Sequence, residues 1–287
     1  MQMSKNAIEL RHVSRSFGDF GISDLNLTLP SGCILGLMGE NGAGKSTTIR
    51  LLMDTLRRDS GEIFVLGVDN TAPEFQRVKQ DIGVVLDEAR FPETLNAREL
   101  EQVLALTYTN WESDTFRRYM DRFQLPEKKL FKDFSRGMKM KLAIAAALSH
   151  RARLLILDEA TAGLDPIVRD EVVEVFREFV CDDDHSILIC SHIVSDLEKL
   201  CDYAAFLHKG RLLFCEEKDA LLEGCGLLSC TAGQLAELEP SAVLGSVRSP
   251  YGAVALVRRD GVPAGFELEK PTLEDIILFQ VKGEKHT

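Results

Sequence analysis

No stretch of this chain approaches the roughly 20 consecutive apolar residues that a membrane-spanning helix needs. The opening MQMSKNAIELRH also has no apolar core of the kind a signal peptide carries, so the chain is expected in the cytoplasm. Cys-x-x-Cys pairs are missing as well. The seven cysteines (33, 181, 190, 201, 215, 225 and 230) are odd in number, which argues against both a disulfide framework and a zinc ribbon. They read as reduced packing residues. Basic charge is short, with 34 Lys and Arg against 45 Asp and Glu and a net charge of -11. A surface of that sign repels a polyanion, so no nucleic-acid partner is expected. Internal repeats and low-complexity tracts are absent.

What is present suits a globular protein with a full core: 287 residues, 45% of them hydrophobic. Ile8, Leu10 and Val13, then Leu25, Leu27 and Leu29, alternate with polar neighbours and read as strands. Residues 33–38, 82–86, 154–157 and 187–190 are continuous apolar runs, the pattern of strands covered on both faces. Helical patterns separate them, which is the rhythm of a parallel sheet with crossover helices. Residues 92–150 hold no strand pattern and read as an all-helical insertion. A turn at Lys209-Gly210 and a strand over 212–215 close a first domain, 1–220. The remainder, 221–287, carries strand-like pieces at 226–230 and 254–257 and a final helix, which Thr272 and Asp275 would cap reciprocally.

The chemistry begins where the first apolar run ends. Gly39-Glu40-Asn41-Gly42-Ala43-Gly44-Lys45-Ser46 fits G-x-x-x-x-G-K-[ST] between a strand and a helix, and Thr47 follows it. Glycines let backbone N–H groups curl around an anion, and the helix N-terminus adds its dipole. Lys45 reaches the outer phosphates, and Ser46 offers a hydroxyl to Mg²⁺. The second half of such a site is the run 154–157 ending in Asp158 and Glu159. Asp158 can hold the Mg²⁺ shell, and Glu159 can orient and polarise an attacking water.

Far downstream, Phe134-Ser135-Arg136-Gly137-Met138 opens a basic segment of helical spacing with no loop nearby to complete a site. Together with residues 39–46, Asp158-Glu159, Gly163-Leu164-Asp165 and His192, in that order, it resembles the ATP-binding subunit of an ABC transporter over about residues 7–215. The resemblance implies an α/β fold: a P-loop NTPase core with a mainly parallel sheet, an antiparallel N-terminal β-subdomain, an all-helical insertion and a small α+β C-terminal extension. It implies that Ser135 and Gly137 face the phosphate loop of a second subunit, so that two ATP molecules lie between two chains. ATP and Mg²⁺ are the implied cofactors. Glu159, His192 and Lys45 are the implied catalytic residues. Phe17 stands where that family stacks an aromatic ring on adenine, and Asp165 resembles the loop that communicates between the two sites. The expected binding positions are therefore Phe17, Gly39, Asn41, Gly42, Gly44, Lys45, Ser46, Thr47, Ser135, Gly137 and Asp165, with Ser46, Asp87 and Asp158 on the metal.

Two features depart from the family pattern: residue 87, and the signature at residues 134–138, which keeps Ser135 and Gly137. Asp87 follows the 82–86 run where glutamine is usual, keeping an oxygen ligand while adding a charge and losing the amide donor. Arg136 lies in a signature that most often reads Leu-Ser-Gly-Gly-Gln. The resemblance further implies a separate membrane permease, docked on the helical insertion and on the loop at residues 89–95, and a homodimer or heterodimer of ATPase subunits. The segment Pro271-Thr272-Leu273-Glu274-Asp275-Ile276 resembles the tail of ATPases serving bacterial exporters of drugs, antimicrobial peptides or envelope components. The alternative is a soluble ATPase of this class acting on ribosomes or nucleic acid. Too few residues separate Ser46 from Asp158 for the coiled coil of the chromosome-organising branch, and one cassette stands where the translation branch usually has two. Residues 221–287 could also form a regulatory or dimer-stabilising module.

Overall fold

The computed structural model describes residues 5–18, 20–87, 91–249, 252–263 and 265–283. Leucine and isoleucine at alternate positions bring the first two strands together. β1 (Asn6–Phe17) and β2 (Phe20–Pro30) pair antiparallel, with Ile8 opposite Leu29 and Leu10 opposite Leu27, and bury these side chains against the rest of the chain. β3 (Ile34–Met38) is buried at every position and leads through the phosphate loop into α1 (Lys45–Leu52). β4 (Ser60–Val65) and β5 (Val68–Asp69) complete an antiparallel sheet in the order β2-β1-β4-β5. Neither strand stands out in the sequence, because in β4 only Ile63 and Val65 are buried, too short an alternation to mark a strand by itself.

After the short α2 (Phe75–Val78) and β6 (Ile82–Val85) comes the helical insertion: α3 (Ala97–Thr107), α4 (Ser113–Arg122) and α5 (Arg136–Leu148). Asn96 and Glu99 form a reciprocal capping box at the start of α3. The core then resumes with β7 (Leu154–Asp158), α6 (Pro166–Phe179), β8 (Ser186–Ser191), α7 (Val194–Leu200), β9 (Tyr203–His208) and β10 (Arg211–Glu217). The main sheet has six strands in the order β10-β9-β3-β8-β7-β6, all parallel except β10. Because β3, β8 and β7 are neighbours, the loops leaving their carboxyl ends open on one edge of the sheet, where parallel α/β proteins bind ligands.

The chain ends in α8 (Lys218–Gly224), β11 (Cys225–Cys230), α9 (Ala232–Glu237), β12 (Val243–Ser249), β13 (Gly252–Arg258) and α10 (Leu273–Gly283), with a three-stranded antiparallel sheet in the order β11-β13-β12. The Thr272–Asp275 cap is formed in both directions. The Thr272 N–H donates to Asp275 at 2.9 Å, and the Asp275 N–H donates to the Thr272 hydroxyl at 3.1 Å. Leu273, Ile276 and Phe279 of α10 belong to the same buried cluster as Leu197 and Leu200 of α7, so the C-terminal segment covers apolar surface of the core. The expected architecture is present in all four parts; β4, β5, β9 and β12 are the strands that the sequence pattern did not mark. The cysteines are free; Cys190, Cys201 and Cys225 are buried, and burial pushes the Cys201 thiol up to about 12.

Candidate functional site

The phosphate loop is shaped by positions that other residues could not hold. Gly44, which caps α1, has φ +117°, and a Cβ there would lie 2.5 Å from Ile22 Cδ1. Lys45 follows it, 6% exposed, its ammonium donating to the Gly39 carbonyl at 2.7 Å and the Glu40 carbonyl at 3.4 Å. The loop forms one wall of a cleft of about 430 Å³, to which Asn41, Gly42, Gly44, Lys45, Ser46 and Thr47 contribute. Asp87, Asp158 and Glu159 supply the acidic side, Glu40 adds a fourth carboxylate from the loop, and Phe20 lies in the same lining.

Asp158 is the last residue of β7 and is 7% exposed. Its Oδ2 accepts the Ser46 hydroxyl at 2.8 Å, whereas its buried Oδ1 has no hydrogen-bond partner. Burial raises its pKa above the usual carboxylate range, and the Glu159 and Asp87 charges add to that while Ser46 and Lys45 oppose it. A buried carboxylate oxygen left unpaired beside a serine hydroxyl is a costly arrangement in an apolar setting and a fitting one for a hard cation.

Glu159 follows with φ +52°, a left-handed backbone that costs a side-chain-bearing residue about 1–3 kcal/mol. Its N–H donates to the Cys190 carbonyl of β8 at 2.9 Å, which holds the turn. The side chain is fixed from three sides. Oε2 lies 2.8 Å from His192 Nδ1 and accepts the Ser191 hydroxyl at 3.3 Å, and Oε1 lies 3.4 Å from the Lys45 ammonium. Carboxylate, imidazole and ammonium thus meet at the ends of three adjacent strands.

The downstream residues gather at a second place. Ser135 caps α5 by accepting the Met138 N–H at 3.2 Å, and Asp165 caps α6 by accepting the Val168 N–H at 3.1 Å. Gly137 faces Leu164 and Val168, whose methyl carbons would stand 4.0 and 3.9 Å from a Cβ added there. Ser135, Gly137 and Asp165 are therefore grouped together, outside the lining of the phosphate cleft. Phe17 is also absent from that lining: its ring lies 6.5 Å from Phe20, the aromatic that does line the cleft, and 5.1 Å from the Arg15 guanidinium. Phe20 and Ser191 do not stand out in the sequence, and Arg136 stands out there only as part of an unusual signature, with no partner assigned. A second aromatic three positions beyond Phe17 was the available signal for Phe20. For Arg136 it was the appearance of two unusual residues of opposite charge: Asp87 Oδ1 accepts from Arg136 Nη2 at 2.9 Å. Of the expected docking loop at 89–95, residues 89 and 90 lie outside the described residues.

A phosphate loop after β3, two acids closing β7 and a histidine after β8 define a P-loop ATPase. The ABC transporter family profile matches residues 22–162. The chain is 33% identical to the ABC transporter ATP-binding protein YtrB of Bacillus subtilis (strain 168) over 217 residues, 75% of this chain and 74% of that one. It is 36% identical to the bacitracin transport ATP-binding protein BcrA of Bacillus licheniformis over 194 residues, 67% of this chain and 63% of that one. A solved ATP-binding subunit of an ABC transporter superposes with a TM-score of 0.67 at 26% identity, covering 76% of this chain and 92% of that one. The chain belongs to the ABC transporter family, as an ATP-binding and ATP-hydrolysing subunit. No helix among the described residues is long and apolar enough to cross a membrane.

Proposed function

We propose that the chain hydrolyses Mg²⁺-bound ATP in this cleft, pairs with a second ATPase subunit around two nucleotides, and drives export through a permease from the cytoplasmic face of the cell membrane. The observation that carries the reading is the Glu159 carboxylate, bridged between His192 and Lys45 at the end of the phosphate loop. In this scheme Lys45 and the N–H groups of residues 39–46 hold the outer phosphates. Glu159 accepts a proton from the attacking water, and His192 keeps the carboxylate turned toward it. Ser46, Asp158 and Asp87 would hold Mg²⁺, which supplies charge neutralisation on the phosphoryl oxygens when bound. The unpartnered Oδ1 of Asp158 supports this assignment.

Ser135 and Gly137 are assigned to the nucleotide of the second subunit, with Asp165 in the loop between the two sites. Their grouping away from the chain's own cleft is what such a role requires. Phe17 and Phe20 together offer an aromatic platform for adenine. The bacitracin-transport name of one relative supports a drug, an antimicrobial peptide or an envelope component as cargo. The acidic balance of the chain gives no support to a nucleic-acid partner.

The pairing is tested by light scattering on Glu159→Gln, with and without ATP and Mg²⁺. A doubling of mass on adding nucleotide is the result for identical chains that complete each other's sites. An unchanged mass with nucleotide bound would reject a homodimer of the chain by itself and point to a different second subunit or to a dimer that forms only on the permease.

A further inference from the structure

The two departures from the family pattern touch each other. Asp87 stands after β6, Arg136 opens α5 inside the signature segment, and they pair at 2.9 Å through Asp87 Oδ1. The same guanidinium lies against Gly163, in the loop after β7. A Cβ at Gly163 would be 2.8 Å from Arg136 Nη1, and its φ of +68° suits glycine, so the arginine rests where a side chain would exclude it. Arg136 therefore spans the loops that leave β6 and β7, one of which ends in the cleft with Asp87.

Stability does not explain the pair. Both side chains are about half exposed, 56% for Arg136 and 51% for Asp87, and ion pairs of that exposure add little to folding. Electrostatics of the cleft does. Glu40, Asp87, Asp158 and Glu159 bring four carboxylates to a lining whose one lysine is Lys45, and the proposed ligand is itself a polyanion. A glutamine at position 87 would add no charge, whereas an aspartate needs an offset. Among the described residues, Arg136 supplies it, engaging Oδ1 and leaving Oδ2 without a hydrogen-bond or ion-pair partner.

We propose that Arg136 is the positioning residue for Asp87: it holds one carboxylate oxygen and offsets the charge, leaving the other oxygen for the metal shell of the bound nucleotide. The inference rests on the ATP-site reading above. It also makes the signature segment, through Arg136, a direct neighbour of the chain's own nucleotide cleft as well as of its partner's.

The test is a double-mutant cycle in the full-length Glu159→Gln chain, in which hydrolysis is suppressed, using Arg136→Gln, Asp87→Asn and the double variant. Affinity for a fluorescent ribose-labelled ATP is measured with Mg²⁺ and with EDTA, alongside the melting temperature. Arg136→Gln is expected to weaken Mg²⁺-dependent binding about 3- to 10-fold by leaving Asp87 uncompensated. In the Asp87→Asn background, itself weakened by loss of the carboxylate, adding Arg136→Gln is expected to change that binding by no more than about twofold, with melting temperatures little changed. An Arg136→Gln chain that binds like its parent, or an Arg136→Gln loss as large in the Asp87→Asn background as in the parent, would overturn the proposal. Failure of the parent to bind the analogue at all would instead remove the ATP-site reading on which it rests.

Discussion

His192 Nδ1 lies 2.8 Å from Glu159 Oε2, which ties the residue after β7 to the residue after β8 across the edge of the main sheet. The Glu159 side chain is 13% exposed and that of His192 47%, so the acid is sheltered while the imidazole is accessible. The proposed proton acceptor is thus held by a hydrogen bond from the residue that follows the neighbouring strand.

His192→Ala should therefore reduce turnover while sparing nucleotide binding. A loss of about 10- to 100-fold in kcat is expected, with KM for ATP within about threefold, because the imidazole acts through Glu159 and not through the loop that grips phosphate. Steady-state ATPase kinetics check this. A large rise in KM at unchanged kcat would assign His192 to ground-state binding.

Ser46→Ala removes the hydroxyl that donates to Asp158 Oδ2 at 2.8 Å and leaves a second oxygen of that buried carboxylate unpaired. The expected result is a Mg²⁺ requirement shifted to higher concentration by about tenfold, read from ATPase rate against free Mg²⁺ at saturating ATP. An unshifted titration would separate Ser46 from the metal.

His150 should contribute a pH dependence to folding that is unrelated to catalysis. It is buried, stacks on Tyr108 at 4.0 Å between ring centroids, and has its ring nitrogens 3.2 Å from the Ala146 carbonyl and 3.3 Å from the Ile82 carbonyl. Burial lowers its pKa below the usual 6.5, with the two carbonyls opposing that shift in part. Between the folded and unfolded pKa values the unfolded chain binds the extra proton. This contribution is thus fully present above pH 6.5 and lost as pH falls through the lowered folded value. Thermal melts from pH 7.5 down to pH 5 should fall more steeply for the wild type than for His150→Gln. Parallel curves would contradict the assignment.

Ile276 of α10 is fully buried in the cluster that includes Leu197 and Leu200. Ile276→Ala should destabilise the chain by about 2–5 kcal/mol, measured by denaturant unfolding. A loss well under 1 kcal/mol would mean that the C-terminal segment sits loosely on the core.

The parts of this site that could be read from the sequence are those in which neighbours along the chain do the work. Residues 39–46 and the run ending in Asp158-Glu159 carry both their residue types and their strand context locally, and residues 40–42 and 44–46 meet Asp158 and Glu159 in one cleft. The Thr272–Asp275 cap is local in the same way. What stayed hidden depends on distant partners or on backbone geometry. Arg136 and Asp87 are 49 positions apart, and their pairing follows from α5 returning beside the end of β6. The left-handed turn at Glu159 is imposed by the bond to Cys190, which no pattern around residue 159 announces. Phe20 reaches the cleft because the β1–β2 hairpin turns it toward Gly44, while Phe17, the more familiar choice, lies outside the lining.

The most direct measurement is the ATP turnover of the purified chain, alone and with its permease, beside Glu159→Gln. Hydrolysis that depends on Mg²⁺ and falls by roughly 100-fold or more in Glu159→Gln is the predicted result, since a positioned base is worth about that much. A wild-type rate no higher than that of Glu159→Gln under both conditions would contradict the assignment of this cleft as a hydrolytic site.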